Sequence, residues 1–370
     1  PFWLTLLSFL LIAHLTMFRV TYLRLVELGV DLTRAAWSGV LVLFLAIAVF
    51  CAWLFFRIAT TRSNFVERAE RLTFDSLPLR LLGGIVFLGI LFLIPYVKFT
   101  YQIGQEVKQP VYDPGLLLLL YYWACVWLVL LAMTALRAAC QTTWLGGFTA
   151  ALILLGLAYE VFFRYGYVTD YPLSLGWSEG SRYYYASLWL SKQIYGETFP
   201  LSTLHPTRYL LQSFPFLFPS LGIFAHRLWQ FFLWISLTAG ASLALTGRVF
   251  SEREKALRWL AAGWIFLFLL RVGVYYHLEV MVILPLLFVS VKKPRQTLLV
   301  VIVSSLWAGI SRVNWFPMPA MIAIAIYLLE IPFNSQSGER PSVKQFANYL
   351  SQPALWMVTG LASALLRRWA

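Results

Sequence analysis

An all-α, polytopic bundle of transmembrane helices is the fold class this sequence predicts, and three observations lead to it. Residues of the AVILMFWYC set make up 60% of the 370 positions and charged residues only 12%, about half of the ~25% that a water-facing shell carries. Mean hydropathy is +0.74. The chain also holds 16 Trp, 19 Tyr and 29 Phe, residue types that gather at membrane–water interfaces. The same figures exclude a disordered chain, collagen, a coiled coil and a disulfide scaffold. With 29 Lys and Arg against 16 Asp and Glu, the net charge is +13. In a soluble protein that balance would point to nucleic acid. Between apolar spans it instead marks loops that orient the chain and meet anionic lipid. Membrane lipids, and no nucleic acid, are therefore the expected partners.

A bilayer core of about 30 Å takes roughly 20 apolar helical residues. Clear candidates run over 1–18, 37–58, 81–97, 116–136, 144–163 and 227–247. Residues 256–291 form one apolar stretch interrupted by Arg271, His277 and Glu279, which suits two shorter helices and a tight turn. Residues 297–331 repeat that arrangement, with Arg312 and Asn314 at the interruption and Pro317 and Pro319 beyond it. A last stretch, 353–366, runs into Arg367 and Arg368. The expected total is about 11 spans of bilayer length. The first stretch lacks a small-residue cleavage site and reads as a span. The segment 332–350, with Pro332 and Pro341, reads as a linker. Cys51, Cys125 and Cys140 show no metal or redox spacing and read as small core residues. Gly83-Gly84 and Gly146-Gly147 would let helices approach closely. His14 and His226 fall at span ends, where no role is assigned to them. Starting at Pro1 and ending at Trp369-Ala370, the chain reads as a fragment.

Basic residues cluster over 57–80, over 248–258 and at Lys292, Lys293 and Arg295. An even number of spans separates each pair of clusters, which places all three on one side, the cytoplasm. Three regions follow: a five-span region over 1–163, an extracytoplasmic loop over 164–226, and about six further spans over 227–370. The interruptions at Arg271, His277 and Glu279 and at Arg312 and Asn314 then share the outer face with the loop. The expected location is an integral plasma-membrane protein.

The loop carries most of the chemistry. It places Asp170 in Thr169-Asp170-Tyr171-Pro172, then reads Gly176-Trp177-Ser178-Glu179-Gly180-Ser181-Arg182-Tyr183-Tyr184-Tyr185-Ala186. Ser178 is placed to cap a helix running to about Ile194. Glu179 would lie in its first turn, where the positive helix end favours a carboxylate. Arg182 and Tyr183 follow three and four residues later, on the same face. Tyr195-Gly196 stops the helix, and Leu204-His205-Pro206-Thr207-Arg208-Tyr209 follows. Pro206, Pro215 and Pro219 break the return into irregular pieces. Such backbone at membrane depth needs protein or a watery cavity around it.

This order of features resembles the GT-C superfamily, integral-membrane glycosyltransferases that take sugars from polyprenyl-phosphate carriers. The shared features are a span leading into an outer loop with an acidic residue, a helix reading Glu-Gly-x-x-Tyr-x-Tyr-Ala, and a Gly- and Pro-rich return. The resemblance covers about 160–225. It differs in that Ser178 stands where many members have Asp, and in that about five spans precede the loop where the family usually has one. The resemblance implies a GT-C-like bundle with interfacial helices in the loop and a polyprenyl-phosphate sugar donor as partner. Asp170 and Glu179 match its acidic positions, and Arg182, Tyr183 and His205 fall in the stretch facing donor or acceptor. In such a transfer a carboxylate takes the proton of the acceptor hydroxyl. Arg is suited to the departing phosphate because its planar fork matches phosphate oxygens. Asp170 and Glu179 are thus the catalytic candidates, with Asp170 favoured as base. Arg182, Tyr183, His205, Arg208, Arg271, His277, Arg312 and Asn314 are the substrate-binding candidates. No cofactor is required, and a divalent metal at Asp170, Glu179 or Glu279 stays open. Two other readings remain: a transporter or flippase of a lipid-linked or anionic substrate, and a non-catalytic membrane scaffold. Gly-rich phosphate loops, His-Glu-x-x-His and Gly-x-Ser-x-Gly motifs are absent from the sequence.

Overall fold

The computed structural model describes residues 2–31, 35–61, 64–71, 74, 76–103, 114–176, 178–331, 333 and 343–365. Trp177, Arg367, Arg368 and residues 334–342 of the expected linker lie outside the described residues. Among those described, every regular element is helical. The chain divides into two compact units, Pro1–Tyr159 and Glu160–Ala370.

The first unit holds α1 (Phe2–Glu27), α2 (Ala35–Thr61), the short α3 (Asn64–Arg71), α4 (Leu77–Ile103), α5 (Pro114–Cys140) and most of α6 (Trp144–Tyr165). α1 pairs with α2 and α4 with α5. Gly83 explains the second pairing, because a Cβ there would sit 2.7 Å from the Ala135 carbonyl oxygen. Gly147 lies similarly close to the Met133 carbonyl, whereas Gly84 faces open space. α1 continues well past the expected end at residue 18, through Arg19 and Arg24. His14 therefore lies inside the helix and not at its end. It is fully buried, with Nδ1 2.7 Å from the Leu10 carbonyl, and its Nε2 accepts the Trp123 indole N–H at 3.0 Å. Of the three cysteines, Cys51 is buried, Cys125 half-buried and Cys140 exposed. The core reading fails for Cys140 because it is the last residue of α5.

The second unit holds α7 (Glu179–Ser187), α8 (Ser191–Tyr195), α9 (Pro206–Gln212), α10 (Ile223–Val249), α11 (Lys255–Val272), α12 (Tyr276–Phe288), α13 (Pro294–Ser311), α14 (Met318–Glu330) and α15 (Val343–Leu365). The stretch 164–226 is not a separate body, since it belongs to this unit with the C-terminal helices. α11 and α12 are joined by a tight turn at Gly273, whose φ of +72° is open to glycine without strain. α13 and α14 are joined by a 3-10 turn over Val313–Trp315. α12 packs against α10, α13 and α14, and α15 packs on α13 and α14. α15 begins ten residues before the expected start at Pro353 and takes in 343–350 of the expected linker. Proline within a helix leaves the carbonyl four residues earlier without its partner. Here that carbonyl, of Tyr349, accepts the Tyr327 hydroxyl at 3.1 Å, and the helix continues through the proline.

Among the described residues, six helices are long and apolar enough to cross a bilayer: Phe2–Glu27, Trp37–Thr60, Leu77–Val97, Leu119–Cys140, Trp144–Tyr165 and Ile223–Val249. They coincide with the six clear stretches of the sequence. Ile12, Val49, Phe56, Ile85 and Phe92 on these helices point out of the packed interior, a density of exposed apolar side chains that water would not tolerate. The chain is a multi-pass membrane protein. α12 and α14 have 13 residues each, about 20 Å at 1.5 Å per residue, and are shorter than a bilayer core.

Candidate functional site

The site is built on α7, α9 and the turns before α12 and after α13, all in the second unit. Two arrangements lie side by side there.

The first is a latch on the loop that carries Asp170. Arg227, in the first turns of α10, is buried, and every N–H it directs at the loop finds an oxygen. Its Nε donates to Glu179 Oε1 at 2.8 Å and its Nη2 to Glu179 Oε2 at 3.1 Å. Nη1 donates to the carbonyls of Thr169 (2.9 Å) and Tyr171 (2.7 Å) and to the Thr169 hydroxyl (3.1 Å). Nη2 also reaches the Leu173 carbonyl at 2.9 Å. Glu179 completes the closure by accepting the Leu175 backbone N–H at 2.6 Å and the Tyr183 hydroxyl at 3.3 Å. Burial works against ionisation of Glu179, but these donors outweigh it and hold the carboxyl below its ordinary range. The consequence for Asp170 is specific. The carbonyls on either side of it are fixed by one guanidinium nitrogen, while its own side chain is exposed and meets Arg227 only as a nearby charge.

α7 starts where Ser178 placed it, but the Ser178 side chain makes no capping bond. Its carbonyl accepts the Arg182 N–H and the Ser181 hydroxyl instead. The helix expected to reach Ile194 is divided by a 3-10 turn over Leu188–Leu190.

The second arrangement is a cationic cluster around α9. This short helix packs on α7, α10, α12 and α13. Its N-cap, His205, adopts φ +55° and ψ +44° directly before Pro206. That left-handed conformation is uncommon outside glycine and costs on the order of 1–3 kcal/mol. It is held by neighbours: Thr207 and Ser311 hydroxyls meet at 2.6 Å, and the His205 ring lies 5.5 Å from that of His277 and 6.1 Å from that of Tyr275. Arg208 is buried, its guanidinium carbon 4.7 Å from the Tyr275 ring centre. Arg208 Nε and Nη2, His205 Nδ1 and both ring nitrogens of His277 are buried without a hydrogen-bond partner. Arg182 and Arg312 add charge: Arg182 is an electrostatic neighbour of Arg208, and Arg312 of His205 and His277. Burial, then Arg312 and Arg208, push the His205 pKa down, and burial and then Arg208 do the same to Arg182. The leading charges acting on His205 and Arg182 are arginines. Buried polar atoms are normally bonded, so the unpaired Arg208 N–H groups, set among further cations, are left with donor capacity of the kind an anion accepts.

The structure thus brings together five of the eight substrate-binding candidates: Arg182, His205, Arg208, His277 and Arg312. Tyr183 belongs to the latch. Arg271 is drawn away, pairing with the buried Glu160 at 2.8 Å. Asn314 is exposed in the turn after α13. Glu279 is fully buried in α12, both its oxygens within 3.1 Å of the Thr238 hydroxyl. Among the described residues no group of three or more His, Cys, Asp or Glu is placed to hold a metal ion. Asp170, Glu179 and Glu279 do not form such a group.

Sequence reasoning missed Arg227, Glu160 and the aromatic partners Trp234 and Tyr275. The first two had a usable signal: an ionisable residue inside an apolar span is functional or paired by default. The aromatic partners had none, because one Trp or Tyr among many does not declare its neighbour. No family model, curated protein or solved structure matches the chain.

Proposed function

We propose that the protein is a membrane glycosyltransferase that moves a sugar from a polyprenyl phosphate to an acceptor at the outer face of the plasma membrane. The observation that supports it best is the cluster of Arg182, Arg208 and Arg312 with His205 and His277. Its buried donors lack partners, as a site for a lipid phosphate requires. In the transfer, the acceptor hydroxyl loses its proton to Asp170 while its oxygen bonds to the anomeric carbon. The bond from that carbon to the phosphate oxygen breaks, and the electron pair leaves on the phosphate, whose charge Arg208 and Arg182 stabilise. Glu179, already engaged by Arg227, positions the Asp170 loop and takes no proton.

Native mass spectrometry of the purified chain with a polyprenyl-phosphate sugar tests this reading. Wild type should retain the lipid, with occupancy at least tenfold lower in Arg208→Ala and Arg312→Ala. Absence of retention, or retention indifferent to both changes, sinks it. A second reading, carriage of an anionic or lipid-linked substrate across the bilayer, draws on Glu279, an ionisable group deep in an apolar helix. Labelling of single cysteines on α12 from both sides of the membrane separates the two, since carriage needs access from both and transfer from one.

A further inference from the structure

Beside the cationic cluster lies a cavity of about 230 Å³, lined by Tyr167 of the loop and by Arg164, Arg182, Arg227, Phe231 and Trp234 among others. Drug-sized sites run to about 300–1,000 Å³, so this one admits a single ring. Its walls combine aromatic side chains, Tyr167, Tyr183, Phe231 and Trp234, with an unbalanced set of charges. Three guanidinium groups face one carboxylate, and that carboxylate is consumed by Arg227. Arg164 is partly engaged, with Nη2 on the Leu270 carbonyl at 2.9 Å and 3.7 Å from Glu160, yet its Nε is buried without a partner. Among the described residues Arg182 makes no ion pair, and the charge that acts on it most strongly is Arg208, of like sign. The cavity therefore offers uncommitted donors from α6 and from α7, with ring faces between them.

We infer that this cavity binds a hydroxylated ring bearing an acid group, a carboxylate or a phosphate, with Arg182 and Arg164 on the acid and Tyr167 and Trp234 beside the ring. A neutral sugar would leave the Arg182 guanidinium without a counter-charge and the Arg164 Nε without an acceptor, whereas an acid meets such groups with charge-assisted bonds. The loop that lines the cavity is the one carrying Asp170, so on the transferase reading, on which this assignment of role rests, the occupant is the acceptor. Arg182 faces both the cavity and Arg208, which would set an acidic acceptor against the donor phosphate across a single cation.

The test uses the full chain in detergent micelles and reads saturation-transfer NMR with D-glucuronate, glucose 6-phosphate and D-glucose as probes. At least one of the two acids should bind saturably and at least tenfold more tightly than glucose. Arg182→Gln, which breaks no hydrogen bond of this side chain to another described residue, should cost the acid probe at least tenfold and glucose little. Tyr167→Ala, at an exposed position, should weaken all binding that is seen. Arg312→Ala should leave acid binding within about threefold while lowering lipid-phosphate retention, so the two sites can fail separately. Dodecyl glucuronide alongside free glucuronate distinguishes an acid carried on a lipid from one in solution. Failure of both acids to saturate, an equal affinity for glucose, or indifference to Arg182→Gln in a folded protein overturns the assignment.

Discussion

Arg227→Met removes the centre of the latch while keeping a long apolar stem in α10. Six hydrogen bonds disappear, two of them to Glu179 and four to the strand of loop at Thr169, Tyr171 and Leu173. Bonds to a charged donor are worth about 1.5–3 kcal/mol each, but summing them overstates the effect, because Tyr171 and Leu173 are exposed and their carbonyls rehydrate. The larger cost is the carboxylate left behind: the Arg227 side chain is 3% exposed and that of Glu179 14%, and breaking such a pair costs about 3–5 kcal/mol. At about 1.4 kcal/mol per factor of ten, local opening of the loop becomes about 10²-fold to several thousand-fold more frequent. Hydrogen–deuterium exchange of a peptide spanning 166–180 reads this directly, with the Leu175 amide, bonded to Glu179, the most sensitive. Peptides from α13 and α14 serve as the internal control. Arg227→Lys should lie between, since one ammonium cannot reproduce a fork spread over six acceptors. Loop exchange within about threefold of wild type in Arg227→Met would refute the latch.

The pair also carries a pH signature. Its stabilising contribution is present above the ordinary carboxyl range and is lost as pH falls through the depressed pKa of Glu179, so the same peptide should lose protection on acidification and Glu179→Gln should abolish that dependence. His205 behaves in the opposite sense toward an anion: its pKa lies below the ordinary histidine value, and a bound phosphate favours the protonated ring, so lipid-phosphate retention should strengthen as pH is lowered from 7, and less in His205→Gln. Gly309→Leu should destabilise the second unit by more than the ~1–3 kcal/mol of ordinary overpacking, because even a Cβ at that position runs into the Ala364 carbonyl; thermal unfolding in detergent measures it. The variant Asp170→Asn, which leaves the Arg227–Glu179 pair intact, should lose transfer while expressing normally, and undiminished transfer removes Asp170 as the base.

The long helices were legible because composition and hydropathy act over roughly 20 residues at a time, and local exceptions average out. The ends were not. α1 runs through Arg19 and Arg24 and α15 runs through Pro353 because long basic side chains reach out of an apolar stretch and because Tyr327 satisfies the carbonyl that Pro353 frees. The first is a property of side-chain length and the second of a partner 22 residues away. The site shows the same division. Ser178-Glu179 announced the start of α7, and Arg182, His205 and Arg208 stood out as polar residues in an aromatic loop. Their convergence with His277 and Arg312 depends on how α9 seats against α12 and α13, which no local pattern contains. Arg271 illustrates the converse: it read as free to meet a substrate, and the buried Glu160 claims it.

Glu179 and Asp170 separate because their surroundings push them toward different work. A carboxylate that receives both prongs of a buried guanidinium, a backbone N–H and a tyrosine hydroxyl is held ionised and hydrogen-bonded on nearly every lone pair, so it has little capacity left to take a proton at neutral pH. Asp170 has the reverse endowment: a backbone pinned on both sides by Arg227 and an exposed side chain that acts on Arg227 only as a nearby charge. Placing a general base requires order in the chain and freedom in the carboxylate, and one arginine supplies the order without touching the carboxylate. The cost is that the loop depends on a single side chain. If Asp170 is the base, an arginine that contacts no reacting atom becomes the residue on which its position rests. Arg227→Lys should then lower kcat far more than it raises KM, because the acceptor is still bound while the base is held loosely.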